Sequence, residues 1–204
     1  LGRCRRDIRR NTGKIGVVAM TGSPAPPAAF TRYVALGDSF TEGVGDPHPT
    51  SPNGLRGWAD HVAVALAQNS PELRYANLAV RGRRMDEILA EQVQTAVMLE
   101  PDLVTVYAGM NGLLLVRNDI DAMMSRYADG LKTLQQTGAH VLAFTAGDLV
   151  TVPLFRRLRG RAAVYNELLR GIADDLGLQL VDFWRFTEFR DPRDPPTLPR
   201  YSHF

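Results

Sequence analysis

Cysteine is almost missing from this chain: Cys4 is the only one in 204 residues, which excludes a disulfide framework. No apolar run approaches the roughly 18 residues of a membrane-spanning helix. Internal repeats are absent, and no Gly-rich phosphate loop follows the first apolar run, which disfavours a nucleotide binder. Histidine is scarce, so any general base must be sought among His48, His61, His140 and His203. A strong charge of one sign is lacking too, but the formal +2 is unevenly spread. Residues 1–19 hold Arg3, Arg5, Arg6, Arg9, Arg10 and Lys14 against Asp7 alone, a net of +5 that leaves −3 for the rest. A mildly acidic body argues against a nucleic-acid footprint.

What remains is the composition of an ordinary soluble globular chain, 45% hydrophobic and 23% charged. The length fits one domain, expected over residues 33–204, behind a flexible segment at 1–32. The basic start has three readings. As a secretory signal, its apolar stretch Ile15–Met20 falls short of the roughly 7–15 residues needed. As a basic arm for nucleic acid or anionic lipid it is weak. The favoured expectation is that Met20 is the natural start and that residues 1–19 are upstream sequence.

The chain is organised around Tyr33-Val34-Ala35-Leu36-Gly37-Asp38-Ser39-Phe40. Tyr33–Leu36 has the length and content of a buried strand, and it stops at Gly-Asp-Ser. Helices are expected over Trp58–Gln68, Met85–Leu99, Asp119–Thr137 and Leu154–Leu176. Strands are expected over Leu73–Ala79, Leu103–Tyr107, Ala139–Thr145 and Leu178–Asp182. The stripe Trp58, Val62, Ala65 and Leu66 should be the buried face of the first of those helices, and Ile88, Leu89, Val93 and Ala96 that of the second. Gly138 should cap the third. This alternation without a hairpin implies a parallel sheet covered by helices on both faces.

In such a sheet, chemistry gathers beyond the carboxyl ends of the strands. Three polar groups fall there: Ser39, then Gly82 in Arg81-Gly82-Arg83, then Asn111 in Gly109-Met110-Asn111-Gly112. Each has an ordinary reading as well. Asp38 and Ser39 are common helix caps, Gly82 can be a turn glycine, and Asn-Gly is a frequent turn pair. Ester hydrolysis by serine needs a nucleophile, a base, and donors for the tetrahedral oxyanion.

Taken together, the three loops resemble the blocks of the SGNH (GDSL-type) hydrolases. That family's Gly-Asp-Ser-Leu is matched by Gly37-Asp38-Ser39-Phe40, and its Gly-x-Asn-Asp by Gly109-Met110-Asn111-Gly112, with Gly112 in place of the Asp. The Gly-x-Ser-x-Gly elbow of α/β-hydrolases does not occur. The resemblance implies a flavodoxin-like α/β/α sandwich with five parallel strands in the order 2-1-3-4-5. It implies Ser39 as nucleophile, an oxyanion hole from Ser39, Gly82 and Asn111, and a base in a terminal Asp-x-x-His block. His203 stands where that block belongs, but Arg200 replaces its Asp, with Asp191 and Asp194 further upstream. His61 and His140 fall on regular elements, and His140 opens its strand and therefore faces the opposite rim.

The function implied is a serine esterase or lipase acting on a small-molecule ester, without metal or organic cofactor. It is expected to be cytoplasmic, monomeric, and free of nucleic-acid partners. An acyl transferase of the same fold, or a catalytically impaired binding protein, is the alternative. Leu113-Leu114-Leu115-Val116 is a candidate acyl-pocket lining, or simply core.

Overall fold

The computed structural model describes residues 29–115, 117–148 and 156–186. Five parallel strands form one sheet: β1 (Arg32–Gly37), β2 (Arg74–Asn77), β3 (Leu103–Tyr107), β4 (His140–Phe144) and β5 (Gln179–Val181), in the order β2-β1-β3-β4-β5. The connecting helices are α1 (Ser39–Glu42), α2 (Trp58–Ala67), α3 (Met85–Met98), α4 (Met110–Leu113), α5 (Ile120–Gln135) and α6 (Arg159–Leu176), and a 3-10 turn, Phe183–Arg185, follows β5.

Strand alternation divides the core in two. Val34 and Leu36 of β1 point to one face, where Val104, Val106, Val141 and Ala143 join them against α3, α5 and α6. Tyr33 and Ala35 point to the other, where Trp58, Ala59 and Ala63 of α2 pack with Tyr107, Phe144 and Phe183. Each central strand is therefore apolar on both faces, as sheets with helices on both sides require. Beneath Ser39 an aromatic layer forms: the Phe40 ring lies 4.6 Å from Tyr107, and Phe144 lies 5.2 Å from Phe183.

Two stripes differ from the spacing argument. Trp58, Val62 and Leu66 of α2 pack on the sheet, but Ala65 is exposed, and Ala59 and Ala63, one position further round the helix, are buried instead. On α3 the buried set includes Gln92, a polar residue with no place in an apolar stripe. Its amide accepts from Gly37 N–H and donates to Gly37 O, both at 2.9 Å, which makes Gln92 an interior clamp on the end of β1. Gly37 has no room for a side chain there, since a Cβ would sit 2.4 Å from Thr41 Oγ1 and 2.6 Å from Tyr107 O.

Candidate active site

Because all five strands run parallel, their carboxyl ends share one rim. Ser39 follows β1, Gly82 follows β2 and Asn111 follows β3. Ser39 opens α1, and Asp38 caps that turn: its Oδ1 accepts from Phe40 N–H at 3.1 Å. The capping role and a role beside a nucleophile are compatible, because the capping side chain is Asp38 and Ser39 is left partly exposed. Among the described residues, no hydrogen bond takes up the Ser39 hydroxyl or the Gly82 N–H.

Asn111 lies on the single turn α4, not in a bare loop. Its amide donates to Asp38 Oδ2 at 3.1 Å and to the Arg83 carbonyl at 2.9 Å. Those acceptors are the chain neighbours of Ser39 and of Gly82, so one side chain binds all three loops together. A second tie runs from α1, where the Glu42 carboxylate accepts from Arg81 N–H at 2.7 Å and Arg81 Nη2 at 2.8 Å. Gly82 sits at φ +80°, a conformation that L side chains rarely adopt. Nothing lies within 4 Å of where its Cβ would be, so that space is open for a ligand to approach the backbone.

The Asp38 carboxyl is buried, and loss of solvent raises it from 3.8 to about 6, against the pull of the Phe40 N–H bond. Near neutral pH it is an anion held by two donors. Beside Asn111 a depression opens, lined by Met110, Leu113, Asp148, Arg159, Ala162 and Trp184 among others. Asp148, 1% exposed, receives the Arg159 fork at 2.8 and 3.0 Å, and that guanidinium stacks 5.3 Å over the Trp184 ring. Leu113 belongs both to this wall and to the core, whereas Leu114 and Leu115 are exposed and Val116 lies outside the described residues.

The three described histidines have other partners. His48 bonds Thr50, Ser51 and Arg56, and exposed His61 lies 3.9 Å from Asp46. His140 bonds Gln179 Oε1 at 2.9 Å and stands at the start of β4, on the opposite rim. His203, Arg200, Asp191 and Asp194 lie outside the described residues, as do Cys4 and Met20. No group of three His, Cys, Asp or Glu side chains among the described residues is placed to hold a metal ion. Likewise, no described helix is long and apolar enough to cross a membrane.

Sequence reasoning missed Gln92, Asp148, Arg159 and Arg161. Gln92 interrupts an otherwise apolar stripe, a signal that was present; the three others carry no mark until the chain is folded.

A five-stranded parallel sheet in this order, helices on both faces, and a serine at the end of its first strand define an α/β/α hydrolase fold of the SGNH type. The sequence profile of the GDSL-like lipase/acylhydrolase family matches residues 35–203, and the chain belongs to that family. Its fold is also that of an acetyl xylan esterase, AlAXEase, at 17% identity and TM-score 0.64, covering 80% of this chain and 85% of that one. An α/β hydrolase enzyme from the metagenome of Lake Arreo, Spain, is similar at 22% identity and TM-score 0.64, with 78% and 81% covered. A catalytic mutant of an acetylxylan esterase from Geobacillus stearothermophilus is similar at 14% identity and TM-score 0.65, with 76% and 77% covered. No curated protein matches the sequence significantly.

Proposed function

We propose that the chain is a serine esterase that hydrolyses carboxylic esters of small molecules through an acyl-Ser39 intermediate. The observation that carries this reading is the Asn111 amide, which joins the loop of Ser39 to the loop of Gly82. In this reading residues 33–204 form one catalytic domain, and neither metal nor organic cofactor takes part.

Ser39 Oγ attacks the ester carbonyl carbon while the His203 imidazole takes its proton. The carbonyl oxygen becomes an oxyanion, met by the N–H groups of Ser39 and Gly82 and by the Asn111 amide, which turns one of its two N–H groups away from Asp38 or Arg83 to donate there. The C–O bond to the alcohol then breaks, and the imidazolium returns the proton to the departing oxygen. Water, deprotonated by the same imidazole, releases the acid and restores Ser39. The esterases of similar fold support this substrate class, two of them acting on acetylated xylan by name.

Arg200 favours one rival reading, a catalytically impaired binding protein, because a cation stands where the family has the Asp that orients the histidine. A serine-reactive fluorophosphonate separates the two. Labelling of the parent, lost in Ser39→Ala, is the expected result. Equal labelling of both proteins removes Ser39 from its role, and no labelling of the parent favours the binding protein.

A further inference from the structure

We propose that Arg161 is the positioning residue that holds Asn111, in place of the acidic side chain missing from its block. This rests on the reading of Asn111 as an oxyanion donor. Position 112 is glycine here, and a side chain there would have to displace two neighbouring side chains. A Cβ on Gly112 would lie 2.9 Å from Met123 Sδ and 3.1 Å from Asn118 Nδ2. Asn118 reaches in from outside the turn, and its amide donates to Gly112 O at 3.3 Å.

α4 is one turn long, so its carbonyls have few partners within the helix. Arg161, in the first turn of α6, supplies donors from across the rim. Its Nε donates to Leu113 O at 3.3 Å. Its Nη2 donates to Leu115 O at 3.2 Å and to Asn118 O at 2.8 Å. Among the described residues, one planar cation thus collects three carbonyls from the end of α4 and the segment that follows. Lysine, a point charge on a flexible stem, does not reproduce such a fork. A cation at the carboxyl end of a helical turn also opposes the partial negative charge there. The device differs from a carboxylate inside the block: the brace comes from a separate helix, at a sequence separation of 43 to 48 residues. Asn111 points its amide at Asp38 and Arg83 only while α4 keeps its orientation.

The test compares the parent, Arg161→Ala and Arg161→Lys by hydrogen–deuterium exchange and by ester hydrolysis. Exchange should rise in residues 110–118 of Arg161→Ala and stay unchanged in β1 and α3. Its kcat should fall roughly 10- to 100-fold, the scale of a misplaced catalytic group, with KM within about threefold. Arg161→Lys should fall between the two. A kcat within twofold of the parent, or unaltered exchange across 110–118, overturns the proposal. If Arg161→Ala does not fold, Arg161→Lys decides: the same local exchange and kcat loss support the brace, and parent-like values refute it. An inactive parent would refute the esterase reading instead, and exchange would still decide whether Arg161 holds α4.

Discussion

Burial lifts the Asp38 carboxyl to about 6, so the folded chain carries a reluctant anion next to Ser39 at pH 7. The sign of the resulting pH dependence follows from the two protonation equilibria. Below about 3.8 the carboxyl is protonated folded or unfolded, and the fold loses nothing. As pH rises towards about 6, the unfolded chain releases its proton first, so folding stability declines across that window. The difference amounts to on the order of 3 kcal/mol. Asp38→Asn removes the titration, so the gap in stability between variant and parent should widen in the variant's favour from pH 4 to pH 7. Urea melts at the two pH values measure it, and parallel behaviour of the two proteins would contradict the burial argument. The same substitution takes a charged acceptor away from Asn111 and should lower the esterase rate at pH 7.

At the scale of elements, the site depends on where β1 stops. Gln92 of α3 binds both backbone groups of Gly37, and Val80 N–H adds a bond to the same carbonyl at 3.3 Å. Replacing Gln92 with leucine keeps the volume and strands a buried N–H. That should reduce unfolding free energy by about 2–4 kcal/mol, from one unsatisfied donor and one lost acceptor bond. Chemical denaturation gives the number, and a loss under about 0.5 kcal/mol would show that water or another group replaces the amide. The pair Arg81–Glu42 ties α1 to the Gly82 turn; its arginine faces solvent while the Glu42 carboxylate is largely covered, and with one partner in water the pair is worth little to stability. Its role is geometric: it ties the turn that carries Ser39 to the turn that carries Gly82.

Over the whole molecule, the parallel sheet brings the ends of β1, β2 and β3 to one rim, and the base must reach the same rim. His140 is excluded by its place at the beginning of β4, and His48 and His61 belong to the connection before α2 and to α2 itself. In the proposed reading the base is His203, about 20 residues past Asp182 in the sequence, a length that at about 3.3 Å per extended residue suffices to reach that rim. Arg200, standing in the sequence where the family has its Asp, has no acceptor with which to orient the imidazole N–H. Accordingly, Arg200→Asp should raise kcat, while His203→Ala should abolish turnover. Steady-state hydrolysis of a short-chain ester checks both, and an unchanged rate in Arg200→Asp would refute the view of this tail as an altered Asp-x-x-His block.

The order of strands and helices was legible in the sequence, because short continuous apolar runs mark strands buried on both faces, and a period of 3.6 in the apolar residues marks the helices between them. So was the rim that gathers Ser39, Gly82 and Asn111: in an all-parallel sheet every strand ends on the same side, whatever the details of packing. The tertiary structure alone decided which groups hold them there. Asn111 meets Asp38 across 73 residues and Arg83 across 28, and Arg161 meets α4 from a helix on the far side of β4 in the chain. Such bonds have no period and no fixed spacing. They depend on how side chains of separate helices come to lie over the strand ends, and that is set only when the core closes.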